Sequence, residues 1–453
     1  MSMTDPSSGW MSLTLPQLDF WEEFTFHPDE AVSTVAHYLD IEGDVDETAL
    51  TRAIEATIAE SDVLSLRFRD GENGAEPQQY CDPQQLPILD NVDLRGFDDP
   101  LQEALRRMNI DVQARIDLRA DKIAAQSLFR IADGRYLWYI RAHHITVDGY
   151  GFALIEQRCG QYYRHFRGLG EAGHAFHPFT SFLAEEAAYR DSPLWSRDET
   201  YWRDYLDHHG SLPVINKGVE DYGAPGEHYE QNIADSLSQS LRERAQAIGI
   251  GWPDLLVLLS GAYLFHHLPR QNTGGTDSLA LWLPFMSRWG SVGAHMPGML
   301  VNILPFHVTL TPQETLQSYL TRSVAVLKKQ RLHGRYRIEQ IANDRGVTKG
   351  SRFYFSPLIN VLPFSAPQFD GCRVVRHVLA NGPGEGFSMT FRGEDDGSNM
   401  TLQIDMDPSL PGMAALKGNP QDVPAFIARA LSPEAQDRPV SALWDGLPAI
   451  DAA

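Results

Sequence analysis

His143-His144-Ile145-Thr146-Val147-Asp148-Gly149 is the stretch on which the reading of this chain turns. Residues 136–141 before it alternate as a strand should, and residues 150–166 after it have the length and apolar spacing of a helix. The two histidines therefore fall in a strand-to-helix connection, where side chains can be held at the rim of a cleft. A histidine titrates near neutrality, so His144 can take a proton from an attacking group and return it. Asp148 can orient a catalytic imidazole or anchor the loop by pairing with an arginine. Gly149 removes a Cβ where backbone must come close to something. Two other His-His pairs occur, His208-His209 and His266-His267, but neither is followed by Asp-Gly at this spacing. Neighbouring residues on a strand face opposite sides, which argues against His143 and His144 holding one metal together. No G-x-S-x-G and no cysteine in a catalytic context is present, so the pattern predicts a base acting on two bound substrates rather than a protein nucleophile.

Working outward, residues 124–131 and 136–141 predict a strand pair joined by the turn Ala132-Asp133-Gly134-Arg135. Residues 32–41 and 64–69 predict strands. Residues 46–61 predict a helix capped by Asp46, with Leu50, Ile54 and Ile58 at i+4 spacing, and residues 13–24 a shorter one. Residues 1–10 are polar and predict a frayed end. Beyond a Gly- and His-rich connector at 168–178, residues 181–205 are helical in character and 211–228 read as a loop. A second series follows: helices at 236–248, 252–268 and 315–330, and strands at 279–285, 301–309, 357–364 and 400–406. The expectation is two mixed α/β halves, 1–175 and 176–432, with 433–453 as a loose linker or tail. Such a tail suggests a domain from a longer chain. Gly168-Leu169-Gly170-Glu171-Ala172-Gly173 matches G-x-G-x-x-G but follows a helix, so it reads as a connector, not a dinucleotide site. Tyr162, Tyr163 and Trp202 read as packing residues.

The chain has 453 residues, more than one hydrophobic core usually serves, which agrees with two halves. A net charge of −22 argues against nucleic acid, whose phosphates need clustered Lys and Arg. Cys81, Cys159 and Cys372 are odd in number and far apart, which fits a reducing compartment and neither a disulfide framework nor a structural zinc. No basic, apolar leader and no run of 18 apolar residues is present, and the expected location is the cytoplasm.

The seven residues resemble the HHxxxDG motif of condensation domains in nonribosomal peptide synthetases, and the shorter H-x-x-x-D-G core is shared with chloramphenicol acetyltransferase. The likeness extends over roughly residues 11–430. Leu15-Pro16-Gln17 with Trp21 resembles the family's first motif, and Val63 to Phe68 the second, with Ser65 where an arginine is usual. Tyr201-Trp202 resembles a family helix. Gly298-Met299-Leu300-Val301-Asn302-Ile303-Leu304-Pro305, the segment Arg335 to Ile341, and Ser356-Pro357-Leu358-Ile359-Asn360-Val361 resemble later ones. Pro284-Phe285-Met286-Ser287-Arg288-Trp289-Gly290 and Leu379-Ala380-Asn381-Gly382-Pro383 are similar to aryl-capped siderophore synthetases such as the enterobactin enzyme. Gly386 stands where an aspartate is usual.

The resemblance implies two chloramphenicol-acetyltransferase-like halves in a V around a central tunnel. His144 is then the principal catalytic residue, with Gly149 as a backbone contact near the reacting carbonyl. His143, Asp148 and Arg288 are structural at the site, Arg288 pairing with Asp148. Gln17, Trp21, Asn302 and Asn360 are candidates for lining the tunnel. The implied reaction is amide formation from an acyl thioester, 2,3-dihydroxybenzoyl being one donor. No intrinsic cofactor and no metal is implied. Substrates arrive on the phosphopantetheine arms of a donor and an acceptor carrier protein, the donor from a separate protein, and neither nucleic acid nor membrane is a partner. The rivals are a coenzyme A-dependent acyltransferase, an epimerisation or cyclisation relative, and a non-catalytic carrier-docking platform. His143, where cyclisation domains carry Asp, argues against cyclisation.

Overall fold

A computed structural model of the chain describes residues 9–209, 214–216, 227–273, 276–311, 313–347, 351–353, 355–383, 386–406 and 422–445. Two sheets carry the fold. The first has the order Cys372–Asn381, Thr34–Gly43, Arg135–His143, Ala124–Ala132, Leu89–Asp93. Its neighbours are antiparallel except the last pair. Helices Glu47–Glu60 and Gly149–Phe166 cover one face through Leu50, Ile54, Ile58, Ile155 and Cys159, all buried. Helix Pro100–Val112 covers the other face with Ala104 and Met108. The Asp46 carboxylate accepts from the Ala49 amide at 2.9 Å, the N-cap that starts Glu47–Glu60.

The second sheet runs Gln271–Thr273, Thr276–Phe285, Leu358–Pro363, Phe387–Gly393, Thr401–Met406, Glu227–Asn232, and Asn302–Thr309 pairs with Thr276–Phe285. Leu358–Pro363 is parallel to both its neighbours. The nearly all-apolar helix Trp252–His267 sits in the middle of this core, with Leu255, Leu258, Leu259, Ala262 and Leu264 out of contact with water. A helix apolar all round belongs inside.

The structure changes several expectations. The helical stretch expected at 181–205 is two helices, Phe179–Arg190 and Pro193–His209, broken where Pro193 cannot continue the first. Within the loop expected at 211–228, Val214–Asn216 pairs as a strand with Ser351–Phe353, and 211–213 and 217–226 lie outside the described residues. So do residues 1–8 of the expected frayed end. Of the expected tail, 433–445 is not loose. Ala435, Val440 and Leu443 are buried in the second core, and the Leu316 and Val440 amides bond Arg438 O and Glu314 O. Residues 446–453 lie outside the described residues. The two halves also exchange parts. Cys372–Asn381 is the edge strand of the first sheet, and Met296, Leu300 and Phe369 are buried in the first core.

Candidate active site

The strand Arg135–His143 ends at His143, and the chain turns at once into helix Gly149–Phe166. The two histidines part there as a strand requires. His143 turns inward, its Nδ1 accepting from the Ile145 amide at 3.2 Å, and burial pushes its pKa down to about 3. It lines a separate small cleft with His27 and Ile116. His144 faces a cavity of about 2910 Å³ whose walls come from both halves of the chain.

Three contacts fix His144. Its amide donates to Ser33 O at 2.8 Å, Phe20 stacks on the ring with centroids 5.0 Å apart, and Nδ1 lies 2.9 Å from Val147 O. A carbonyl can only accept, so Nδ1 carries the proton and, in the neutral ring, Nε2 keeps its lone pair. Burial lowers the pKa of His144 below the ordinary histidine value, against the opposing pull of the Asp148 carboxylate.

Asp148 does not touch the imidazole by any hydrogen bond described. Its Oδ1 accepts from the Gly151 amide at 2.8 Å, capping the helix, and its Oδ2 accepts from the Leu300 and Val301 amides at 2.9 Å. Arg288 Nη2 donates to both oxygens at 2.8 Å, and the same guanidinium reaches Gly293 O, Met296 O and Gly298 O. Burial disfavours this carboxylate's charge, but Arg288 and the amides outweigh it and hold the pKa below the usual range. Asp148 thus joins the helix start to the 288–301 loops.

Gly149 is exposed and lines the cavity. A Cβ there would meet only Phe364 and Leu362 side chains at 3.8 and 3.9 Å, so protein packing does not require this glycine. The position packing does reserve is Gly151, where a Cβ would lie 2.6 Å from Val147 Cγ2 and 3.0 Å from the Gly298 amide nitrogen.

Of the four tunnel candidates, Asn360 lines the cavity and three do not. Asn302 is fully buried; its Nδ2 donates to Gly334 O and Tyr336 O and its Oδ1 accepts from the Ile338 amide. Every polar atom is committed to holding backbone. Gln17 is buried too, pairing with Gln79 at 2.8 Å and closing the capping box with Thr14. Trp21 packs on Phe24 and Phe68 under Arg119. Ser65 is buried and bonds back to Asp62 O, while Gly386 lines the cavity with φ of 78°. His208, His209, His266 and His267 lie in the last turns of two helices away from the cavity.

The structure adds wall residues to which motif reading gave no role. Gly382 has φ of 85°, and a Cβ on it would fall 2.6 Å from His144 Cδ2. On the helix, Glu156 is buried between His37, at 2.6 Å, and Arg376 of the edge strand, whose Nε lies 3.0 Å from Oε2. Burial opposes that carboxylate's charge, yet Arg376 and His37 bring its pKa down to about 2. Glu156 and His37 follow no local pattern; only their spatial meeting marks them. Among the described residues no group of three or more His, Cys, Asp and Glu is arranged to hold a metal.

The Condensation domain family model matches residues 8–405. Enterobactin synthase component F of Escherichia coli O157:H7 is 32% identical over 380 residues, which is 82% of this chain and 28% of that protein. Isonitrile lipopeptide synthase of Streptomyces coeruleorubidus is 28% identical over 97% of this chain and 30% of its own length. The chain thus spans less than a third of these relatives. Among solved structures, VibH, a nonribosomal-peptide condensation enzyme, is 34% identical with a TM-score of 0.84, covering 94% of this chain and 100% of VibH. The starter condensation domain of rhizomide synthetase RzmA, a point mutant solved with C8-CoA, is 26% identical with a TM-score of 0.80 over 96% of this chain and 98% of that one. A two-halved α/β fold, a histidine of the HHxxxDG motif on the shared cavity and a family match over most of the length converge: the chain belongs to the condensation-domain family of nonribosomal peptide synthetases, an acyltransferase family.

Proposed function

We propose that this chain joins an acyl thioester, delivered on the phosphopantetheine arm of a donor carrier protein, to the amine of an acceptor aminoacyl thioester or free amine. The observation that carries this is the 2.9 Å contact of His144 Nδ1 with Val147 O: with Nδ1–H spent on that carbonyl, Nε2 is the ring nitrogen left to take a proton in the cavity. The amine attacks the thioester carbon, a C–N bond forms, and Nε2 accepts the proton the nitrogen loses. Collapse breaks the C–S bond, and that proton goes to the departing sulfur. Burial disfavours a charged resting ring, so His144 enters the reaction neutral, as a base, and becomes a hydrogen-bond donor only after it has taken the amine's proton. Gly149 opens the helix, where first-turn amides have no intrahelical acceptor, and its N–H is our candidate contact to the carbonyl oxygen.

Holding two tethered substrates in one cavity supplies much of the acceleration. An aryl donor of the 2,3-dihydroxybenzoyl kind is favoured by the likeness to enterobactin synthase component F. The carriers are separate or neighbouring parts of a synthetase, consistent with the small fraction of the relatives that this chain spans. Among the described residues no single helix is long and apolar enough to cross a membrane. The cytoplasm is our proposed location. The RzmA domain bound to C8-CoA favours one second reading, acyl transfer from coenzyme A itself, which carries the same arm. The test is intact mass spectrometry of an acceptor carrier incubated with loaded donor carrier, or with acyl-coenzyme A alone. His144→Ala should lower product formation by about 10² to 10⁴ without shifting the melting temperature. Undiminished turnover by that variant would end the proposal; product from acyl-coenzyme A alone would move it to the second reading.

A further inference from the structure

Among the arginines that line the cavity, Arg376 and Arg392 are treated differently. Arg376 is neutralised by the buried Glu156 carboxylate and spends its remaining donors on Phe364 O and Ser365 O. Arg392, on Phe387–Gly393, has neutral partners instead: the Gln403 amide oxygen, and Asn381 Oδ1 at 2.8 Å from Nη2. Among the described residues no carboxylate lies within ion-pair distance of it. Asp405, whose charge acts on Arg392 from beyond that distance, accepts from Gln403 Nε2 at 2.6 Å and lies 2.7 Å from His228 Nδ1. We infer that Arg392 is an anion-binding residue of this cavity, receiving a negatively charged oxygen group carried by one of the two substrates joined at His144.

The placement supports it. Arg392 lines the same cavity as His144, and its partner Asn381 immediately precedes Gly382, the glycine packed against the His144 ring. Thr390 and Ser388 lie on the same strand at alternate positions, and Asn360 is in register with Thr390 on the adjacent strand. All of them line the cavity, which gives the guanidinium a polar surround open to a ligand. A guanidinium offers five N–H donors in a planar fork suited to an oxygen acid, and two are accounted for here. Arg392 is half-buried, and a partly desolvated cation without a carboxylate is costly unless something compensates it. Burial lowers the pKa of Arg392 against the opposing fields of Asp405 and Glu230, neither of which comes within ion-pair distance.

The inference rests on the cavity being the substrate cavity, and its test is binding rather than turnover. Calorimetry on the full chain compares 3-carbamoylbenzoate with isophthalamide as donor-like probes, and 4-aminobutyrate with 4-aminobutyramide as acceptor-like probes. At least one anion should bind about 10-fold more tightly than its neutral partner, and the arm that shows it identifies the substrate concerned. Arg392→Gln should erase the preference and Arg392→Lys keep part of it. Asn381→Asp, which hands the guanidinium a carboxylate and leaves it in place, should erase it equally. Equal affinity in both arms, no binding of either anion, or a preference that survives Asn381→Asp overturns the inference. Anion preference together with a fully active His144→Ala would sink the amide-forming reading alone; no preference with an inactive His144→Ala would sink this one alone.

Discussion

The imidazole of His144 is held by its amide, by Val147 O and by Phe20, and the fourth constraint is the missing side chain of Gly382. Gly382→Ala places a methyl 2.6 Å from His144 Cδ2, too close for contact, at a φ that L residues avoid. A ring moved by about 1 Å loses in-line geometry, so kcat should fall roughly 10²-fold while the fold survives with a loss of about 1 kcal/mol. Parallel measurement of kcat and melting temperature checks this; a variant that keeps its rate shows that the glycine does not position the ring. The lowered pKa sets a second expectation. His144 works as a base only when neutral, so kcat/KM should be flat at neutral pH and fall on acidification only below the ordinary histidine value of about 6.5. A limb centred at or above that value contradicts the assignment. His144 itself was legible in the sequence because its motif is local. Gly382 appeared only within a subtype likeness, since its reason for being glycine lies more than two hundred positions away.

At the scale of elements, helix Gly149–Phe166 starts where it does because Asp148 caps it, and Asp148 is charged because Arg288 is buried beside it. Removing one partner strands the other in low dielectric. Asp148→Asn and Arg288→Met should each cost about 3–5 kcal/mol, whereas the double variant should cost clearly less than their sum. Chemical denaturation of the three variants measures the coupling, and simple additivity would mean that the pair does not join the two loops. Elements built on local periodicity were readable: Leu50, Ile54 and Ile58 point into the core as their spacing predicts. Helix Pro100–Val112 was not, because it buries only Ala104 and Met108 and its face toward water is polar, although Asp99 and Pro100 mark its start. The edge strand Cys372–Asn381 escaped for another reason. Its partner Thr34–Gly43 is over three hundred residues away, and its half-exposed side chains carry no clean alternation. Asn302, Gln17 and Trp21 show the same limit from the other side: their motifs were visible, but their polar atoms or rings hold the scaffold and only Asn360 reaches the cavity.

Across the whole molecule, burial holds histidines of both cores in the neutral form. It lowers the pKa of His143 and His307 to about 3 and of His267 to about 4, with neighbouring His144, His209 and His266 respectively as lesser causes. In the unfolded chain these side chains titrate near 6.5. Between that value and their folded pKa values the unfolded state binds more protons than the folded one. Stability therefore rises with pH through this window and is lost on acidification. Each histidine should contribute about 1 kcal/mol of loss between pH 6.5 and 5.5, roughly 3 kcal/mol for the three. The net charge of −22 works the other way, since protonation relieves repulsion, but that relief comes mainly when carboxylates titrate, nearer pH 4. The two effects thus occupy different pH windows. Unfolding free energies from denaturant titrations at pH 7.5, 6.5 and 5.5 should show the decline, and His307→Asn should reduce its slope by about a third. A wild-type stability that stays level from pH 7.5 to 5.5 would show that these histidines reach solvent and protonate in the folded state.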